Sequence, residues 1–381
     1  MVVICHLDPF VGALAPPRGR AAALELFRRL DNGNFAVCVF FVMSGYALIA
    51  VYARSKEKSY LATGAIKRYF RLTPVVLVSM IGAFLLGISI GFHNHLAAQE
   101  LGGNAWLSGA YTGSGSLFEA AVQGLFTVYL GDVSYNPALW TMSVEFWGSL
   151  FLFCFAAAFY DRRQFPLISA FAALLLMATL HVNGVYFALF LYGAALLRFR
   201  PNRSLWYLIV PAAYLAMENP AEALTHWLAA ILLSRHLSLG APVAVFFHAI
   251  AAALLITAVI GSRRLRSALS AAPLVRLGEI SFPLYVCHMP IMMSVGTLTF
   301  TMLAAHGHDV TGAAVAMAVS LAVSIAVASL LTRAVDQPAQ RIAAKIGRTL
   351  IAAIVPILPP AASCSKHPTP QPYKPQPASD N

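Results

Sequence analysis

The feature that most constrains the fold of this chain is a series of long apolar segments that recurs along nearly all of its 381 residues. Each segment runs for about 15 to 22 residues, close to the length that an α-helix needs to cross the hydrocarbon core of a bilayer. Buried strands of soluble proteins are much shorter, about 4 to 8 residues between turns, and only 11% of this chain is charged. The sequence therefore predicts an all-α fold, a polytopic helical bundle integral to a membrane.

Basic loops between the apolar segments limit how many of them cross the membrane. The loops from Arg54 to Arg71 and from Arg263 to Arg276 are basic, as are three other connections. Because Lys and Arg concentrate in cytoplasmic loops, we expect these loops at one face, which requires two segments not to cross. The apolar segments are 33–53, 74–92, 118–131, 137–160, 165–182, 184–198, 204–217, 223–234, 241–261, 281–303 and 311–332, with a further one at 1–14.

The short segments 118–131 and 223–234 are expected to enter the membrane without crossing it. Both are short for a bilayer, and the second is interrupted by polar residues from Thr225 to Trp227. The prediction is therefore about ten transmembrane helices plus one or two half-spans, with the Lys- and Arg-free loop 93–117 on the outer face. The basic loop 15–32 does not fit this arrangement.

The net charge of +11 fits a membrane protein better than a nucleic-acid-binding one. The Lys and Arg side chains lie in short loops, where they contact lipid headgroups and fix the topology, and they form no continuous basic face. After about residue 350 the composition changes to Pro, Ser, Gln and Lys. We expect a membrane domain over residues 1–348 and a disordered, Pro-rich tail over residues 349–381.

Two ionisable residues in or beside apolar segments are candidates for chemistry. His6 ends the first segment, and an imidazole there takes a proton from a hydroxyl near neutral pH. Glu145 lies within "PALWTMSVEFWGSLFLF", so it must face a polar cavity, pair with a cation or histidine, or stay protonated. A structural role is the alternative for both, since polar side chains also tie membrane helices together.

Two further motifs place polar residues at the start of apolar segments. In "KRYFRLTP", Arg68 and Arg71 share one helical face at the predicted cytoplasmic surface. Two guanidinium groups there would clamp a phosphorylated ligand. An equal alternative is that the two arginines only fix the cytoplasmic end of a transmembrane helix. In "GEISFPLYVCHMP", Ser281, Tyr285 and His288 share one face, which predicts a cavity lining or an interfacial anchor.

The motif "FFVMSGY" interrupts an apolar run with polar residues. Gly45 permits the close approach of another backbone or a local break in the helix. Ser44 and Tyr46 are expected to face a cavity, since polar groups within a membrane are tolerated where protein or water satisfies them. Helix packing through a small-residue step is the alternative.

Taken in order, His6, "FFVMSGYALI", "RYFRLTP", "LWTMSVEF" and "LGEISFPLYVCHMP" resemble membrane-bound acyltransferase family 3. Bacterial members of that family O-acetylate lipopolysaccharide, exopolysaccharide, Nod factors and related glycans. The resemblance covers about residues 1–338. It implies transfer of an acyl group, usually acetyl from cytoplasmic acetyl-CoA, to a sugar hydroxyl.

The resemblance also implies roles for individual residues. His6 matches the family's catalytic histidine and would act as general base, while Glu145 would orient His6 or bind the acceptor. Arg68 and Arg71 match its arginine pair and would hold the phosphates of CoA. The residues predicted to line the substrate cavity are Ser44, Tyr46, Trp140, Ser143, Tyr285 and His288.

Two features depart from the family pattern. The family usually has an Arg upstream of its histidine, at a greater distance than the five residues that precede His6 here. The first helix is therefore expected to be truncated at its N-terminus, and an inactive truncated homologue is one alternative. Phe146 stands where many members have a second Glu, so Glu145 would act alone.

The resemblance thus implies an O-acyltransferase of the bacterial inner (cytoplasmic) membrane, acting on acyl-CoA and a glycan or glycolipid acceptor. It contains no Walker loop, dinucleotide glycine fingerprint, HExxH zinc motif or GxSxG elbow. We expect no permanently bound cofactor, no metal ion and no nucleic acid, with membrane lipids as the remaining partner. A transporter or flippase for an anionic or lipid-linked substrate is the alternative from another class.

Overall fold

The computed structural model describes residues 2–14, 32–111, 115–199, 204–217 and 243–354. These ranges are helical apart from turns and contain no β-strand, which confirms the all-α prediction for them. The α-helices are α1 (Val2–His6), α2 (Asp8–Ala13), α3 (Gly33–Ser55), α4 (Lys58–Ser89), α5 (Asn94–Glu100), α6 (Ala105–Ser108), α7 (Leu117–Leu125), α8 (Thr141–Phe159), α9 (Phe165–Leu196), α10 (Ile209–Ala216), α11 (Val243–Gly261), α12 (Arg263–Leu269), α13 (Ala272–Glu279), α14 (Ser281–Ile291), α15 (Thr297–Ala304), α16 (Asp309–Leu331) and α17 (Gln337–Ile354).

Within the described ranges, 7 helices are long and apolar enough to cross a membrane. The chain is therefore a multi-pass membrane protein, while the number of about ten transmembrane helices stays a prediction. The segment 118–131 forms α7 and a short 3₁₀ turn, as expected for a half-span. The segment 223–234 and the loop 15–31 lie outside the described residues. The long helices are Gly33–Ser55, Lys58–Ser89, Pro137–Phe159, Phe165–Leu196, Val243–Gly261, Ser281–Ala304 and Asp309–Ala353.

Helix α9 consists of two antiparallel segments joined at His181. The backbone of His181 leaves the helical region, with φ 51° and ψ −128°. Gly184 then packs directly on the backbone about two turns earlier in the sequence, which a straight helix would not allow. Phe165 and Arg198, at opposite ends of this stretch, consequently both contact Tyr160. The two apolar segments predicted here are confirmed as separate.

Basic loops from distant parts of the sequence meet at one end of the bundle. Lys56 forms an ion pair with Asp161 at 2.8 Å. Arg198 donates to the backbone carbonyl that precedes Asp161, also at 2.8 Å. Gly347 packs on the side chain of Lys67, which adds the basic C-terminal region to the same end. The loops that carry Lys56, Asp161 and Arg198 thus meet, while their position at the cytoplasmic face stays a prediction.

Glycines bring α3 and the second segment of α9 into direct backbone contact. A side chain at Gly45 would overlap the backbone of Phe190, and one at Gly193 would overlap that of Val42. Helices in membranes approach closely at such small residues, because dispersion contacts then replace the hydrophobic driving force. The motif "FFVMSGY" was predicted either to line a cavity or to pack helices through a small residue, and Gly45 has the second of these roles.

The last described helix corrects the predicted start of the C-terminal tail. Helix α17 ends at Ile354, so residues 349–354 are helical and the boundary at 349 is wrong. The apolar residues from Leu350 onwards extend the helix, and the first proline after them is Pro356. Residues 355–381 lie outside the described residues, and the disordered tail stays a prediction.

Candidate active site

Two histidines from opposite ends of the sequence meet inside the bundle. Nδ1 of His6, at the end of α1, lies 2.7 Å from Nε2 of His288 on α14. His288 is buried, and the indole of Trp106 stacks on His6 with ring centroids 5.3 Å apart. The fold therefore joins a residue predicted to be catalytic to one predicted to line the cavity.

The hydrogen bonds of His288 decide which nitrogen of each ring carries the proton. Nδ1 of His288 lies 2.7 Å from the carbonyl oxygen of Tyr285 and 3.2 Å from that of Leu284, so this nitrogen carries the hydrogen. Nε2 of neutral His288 is then an acceptor, and Nδ1 of His6 donates to it. His6 consequently keeps its lone pair on Nε2. That is the tautomer that a general base needs in order to take a proton from a hydroxyl.

The helix that carries His288 has an altered hydrogen-bond pattern. Pro290, inside α14, has no backbone N–H, and Met292–Gly296 continues the helix as a π-helical turn. Such turns are frequent at functional sites. On this helix, Tyr285 contacts Thr141 of α8, and His288 contacts His6 of α1.

A buried ion pair joins α4 to α8. The guanidinium group of Arg68 donates to Oε1 of Glu145, and the two side chains are only 6% and 4% exposed. Ser44, on α3, donates to the same oxygen at 3.3 Å. Of the environments predicted for Glu145, the structure thus selects pairing with a cation, which offsets the cost of a carboxylate within an apolar helix.

The ion pair leaves one donor and one acceptor without partners. In the described part of the chain, Nε of Arg68 and Oε2 of Glu145 are buried and make no hydrogen bond. Most buried polar atoms in proteins are paired, so each exception calls for an explanation, a role in catalysis among them. These two atoms are therefore candidates for binding a polar group of a substrate.

Tyr285 and Thr141 connect the histidine pair to the ion pair. Their hydroxyl oxygens lie 2.7 Å apart, and Tyr285 also donates to the carbonyl oxygen of Ala138. Tyr285 lies one turn before His288 on α14, and Thr141 lies one turn before Glu145 on α8. The hydroxyl contact between Tyr285 and Thr141 thus links the helix that carries His288 to the helix that carries Glu145.

The residue that orients His6 is His288. Glu145 makes its contacts with Arg68 and Ser44, on helices other than the one that holds His6. Orienting His6 was one of two roles predicted for Glu145, and the geometry gives that role to His288 instead. Binding of the acceptor, the other predicted role, is compatible with the unpartnered Oε2.

Arg68 and Arg71 do not form a surface clamp. Arg68 is 5% exposed, so its predicted surface position is wrong, because the carboxylate of Glu145 on the neighbouring helix holds it inside the bundle. Arg71, one turn further along α4, is exposed. Arg71 is thus the member of the pair that an external phosphate could reach.

Tyr46 and Ser143 point away from the two clusters, whereas the cavity role of Trp140 stays a prediction. Tyr46 lines a separate cavity of about 540 Å³ at the basic end, together with Arg54 and Arg198. Trp140 is 36% exposed at the start of α8. Ser143 donates to the carbonyl oxygen of Trp140 at 2.9 Å and lies two residues from the site carboxylate, which turns it to another side of the helix.

Two elements of the structure were not anticipated from the sequence. Trp106, which stacks on His6, lies in the short helix α6, where the sequence has no periodic signal. His248 is 5% exposed within α11, and its ring nitrogens each lie 2.9 Å from the side-chain amide nitrogen of Asn32 or Asn34. The sequence could have indicated this second polar cluster, because His248 is a lone ionisable residue within an apolar segment.

Comparison with known proteins identifies the class to which this site belongs. Residues 1–333 match the family model described as "Acyltransferase domain". The chain therefore belongs to this acyltransferase family, which confirms the resemblance carried by the sequence motifs. Its long apolar helices make it a membrane acyltransferase. No curated protein and no solved structure matches the chain.

Proposed function

We propose that this membrane acyltransferase moves an acetyl group from acetyl-CoA to a hydroxyl group of a cell-surface or exported glycan. The observation that carries the proposal is the hydrogen bond between His6 and His288, which leaves Nε2 of His6 as a base within an acyltransferase domain. The proposed location is the bacterial inner membrane, with acetyl-CoA approaching from the basic, cytoplasmic end.

The proposed reaction is a direct transfer without an acyl-enzyme. Nε2 of His6 accepts the proton of the acceptor hydroxyl while the hydroxyl oxygen attacks the thioester carbonyl carbon. The tetrahedral intermediate then breaks its carbon–sulfur bond, and the proton held by His6 passes to the departing sulfur. The products are an O-acetyl ester and the free thiol of CoA. His288 touches no reacting atom and acts as a positioning residue for His6.

The buried ion pair and the exposed arginine are proposed to bind the two substrates. Oε2 of Glu145 would accept a hydrogen bond from the acceptor, and Nε of Arg68 would donate to the oxygen that gains negative charge in the intermediate. Arg71 would bind a phosphate group of CoA. The different tasks proposed for Arg68 and Arg71 agree with the burial of the first and the exposure of the second.

Transfer of radiolabel from acetyl-CoA to glycan, in membranes that contain the full-length chain, tests the assigned base. His6→Ala is expected to lower the rate roughly 10²- to 10⁴-fold, the usual contribution of a general base. His95→Ala, at an exposed position of α5, is the matched control and is expected to keep the wild-type rate. Label transfer that is unchanged in His6→Ala would exclude His6 as the base.

Two further measurements test the function as a whole. Comparative mass spectrometry of surface glycans with and without the gene is expected to show the loss of an acetyl mass and to identify the acceptor. Purified full-length protein that moves an anionic substrate across liposomes, but transfers no acetyl group, would instead identify a transporter.

A further inference from the structure

A cavity of about 540 Å³ lies between α3, α9 and α11 at the basic end of the bundle. Its volume is within the range of sites that bind small molecules. One wall is the last part of α3, from Tyr46 to Arg54, together with Lys56. The other walls are the chain 196–199, at the end of α9, and Ile260, near the end of α11. We call this site the basic cavity.

Three cationic side chains line the basic cavity, and no carboxylate is among the described residues that line it. Arg54 is exposed and makes no hydrogen bond or ion pair with any described residue. Arg198 donates to a backbone carbonyl oxygen, which leaves its charge uncompensated. Lys56, the third cation, is paired with Asp161, which lies outside the lining. The basic cavity thus carries a net positive charge and attracts an anion.

Two of the cations are held in place around the ring of Tyr160. The ammonium group of Lys56 lies 4.8 Å from the ring centroid, and the guanidinium carbon of Arg198 lies 5.6 Å from it. Arg198 also donates to the carbonyl oxygen of Tyr160 at 2.8 Å. Lys56 has a positive φ of 59° at the end of α3, a position where glycine is usual. Because these contacts fix both cations before a ligand arrives, less side-chain entropy is lost on binding.

Helix α3 separates the basic cavity from the candidate active site. Ser44 donates to Oε1 of Glu145 at 3.3 Å, so its face of α3 is directed at the buried ion pair. Tyr46 follows two residues later, roughly 200° further around the helix axis. Ala50 and Ala53 line the cavity on the same side of α3 as Tyr46. An anion in the basic cavity therefore lies on the opposite side of α3 from the buried ion pair.

The rim of the basic cavity has the composition of a membrane interface. Phe199 lines it and is 50% exposed. Trp206 and Tyr207, which are also exposed, follow Leu205, and Leu205 packs on Gly261 at the end of α11. Exposed aromatic side chains of membrane proteins concentrate at the level of the lipid head groups. The basic cavity therefore lies at that level, beside α11, whose 19 residues include no Lys, Arg, Asp or Glu.

A phospholipid matches both the charge and the apolar rim of this site. Its phosphate group would meet the three cations, and arginine binds phosphate oxygens through paired N–H groups. The hydroxyl group of Tyr46 makes no hydrogen bond with the described residues and would donate to the same phosphate. Phe199 and Ile260 would contact the acyl chains. A soluble phosphate would match the charge alone and would leave these two apolar side chains in water.

We propose that the basic cavity binds the head group of an anionic phospholipid, with Arg54, Lys56 and Arg198 on its phosphate oxygens and its acyl chains along α11. Basic pockets between transmembrane helices bind such head groups at the cytoplasmic side of membranes, where the basic end is predicted to lie. The proposal involves neither the acyl donor nor the acceptor, so it holds or fails independently of the proposed function.

Native mass spectrometry of the full-length protein in detergent tests the proposal, because it counts the lipids bound to each chain. The probes are dioleoylphosphatidylglycerol, which is anionic, dioleoylphosphatidylcholine, which is zwitterionic, and soluble glycerol 3-phosphate. Phosphatidylglycerol is expected to fill one saturable site about tenfold more tightly than phosphatidylcholine. Glycerol 3-phosphate is not expected to displace it. Arg54→Gln should weaken phosphatidylglycerol binding about fivefold, the effect of one cation beside an anionic lipid, with little change in thermal stability.

Arg341→Gln removes the same charge from an exposed position of α17 outside the basic cavity. This variant is the matched control and should bind phosphatidylglycerol as the wild type does. Equal binding of the two lipids, or unchanged phosphatidylglycerol binding in Arg54→Gln, would overturn the proposal. Displacement of phosphatidylglycerol by glycerol 3-phosphate or by coenzyme A would also overturn it, because the basic cavity would then be a site for soluble phosphates.

Discussion

Arg68 and Glu145 form an ion pair inside the helical bundle, although they lie 77 residues apart on helices that each carry long apolar stretches. Both charges are removed from water, and their mutual attraction offsets this cost only while both partners are present. The pair also holds one buried donor and one buried acceptor towards the site. Stability and substrate binding therefore depend on the same two side chains.

Removal of one partner of this ion pair is expected to destabilise the protein strongly. Arg68→Met or Glu145→Met leaves an uncompensated buried charge, which costs about 3 to 5 kcal/mol in the free energy of unfolding. The double variant should recover much of that loss while remaining inactive. Unfolding in mixed detergent micelles measures these differences. Lys56→Met, which breaks the exposed ion pair with Asp161, is the control and should cost less than about 1 kcal/mol; equal losses at the two sites would contradict the prediction.

His288 is expected to support catalysis through His6. His288→Ala removes the acceptor for Nδ1 of His6, and the misoriented base should lower kcat about 10²-fold with little change in the KM for acetyl-CoA. His288→Gln offers a side-chain oxygen as acceptor and should recover part of the rate. Steady-state acetyl transfer at varied acetyl-CoA measures both constants. A purely structural role would predict equal losses in the two variants, together with loss of folded protein.

Glycine at positions 45 and 193 is expected to be required for the packing of α3 against α9. Gly45→Ala or Gly193→Ala forces a methyl group into the backbone of the neighbouring helix, a type of overpacking that costs about 1 to 3 kcal/mol. Thermal unfolding in detergent measures the effect. Gly82→Ala, on α4 where the added methyl meets nothing within 4 Å, is the control and should be neutral or stabilising. A loss at Gly82 as large as at Gly45 would contradict the packing argument.

His181 is expected to be a site of backbone strain. Its positive φ of 51° is disfavoured for any residue with a Cβ atom, so His181→Gly should raise the free energy of unfolding by about 1 kcal/mol. Ala178→Gly, in the helical part of the same hairpin, should lower it by a similar amount. Chemical denaturation of the two variants measures these changes in the free energy of unfolding. If the helix instead continued through residue 181, both substitutions would be destabilising.

Stability is expected to depend on pH through Asp161 at the basic end. Hydrogen bonds from Lys56 and then Tyr52 lower the pKa of Asp161 below its ordinary value of 3.8. A carboxyl group whose pKa is lower in the folded state stabilises the fold above the unfolded pKa, and this contribution disappears as the pH falls through the folded pKa.

The corresponding variant is Asp161→Asn. At neutral pH it should be less stable than the wild type by less than about 1 kcal/mol, because the ion pair is half exposed and screened by solvent. The difference should shrink as the pH falls below 3.8. Paired thermal unfolding curves at neutral and acidic pH measure this; a difference that grows on acidification would contradict the assignment.

Much of the candidate site could be predicted because ionisable residues are rare in apolar segments. Glu145 and His288 are conspicuous in the sequence for that reason, and both lie in the site. Residue spacing could not reveal that Arg68 is buried, because the sequence does not state which helix faces it. Ser143 and Tyr46 were grouped with the site by motif, and the helical period turns both of them elsewhere.

The sequence by itself determined that the chain is a multi-pass, all-α membrane protein with an acyltransferase resemblance, since length, hydropathy and motif order are local properties. Only the tertiary structure decided that His6 bonds to His288 and that Glu145 bonds to Arg68. These contacts join residues that are far apart in sequence. They depend on how each helix is rotated about its axis, which is set by packing at glycines and by buried polar pairs.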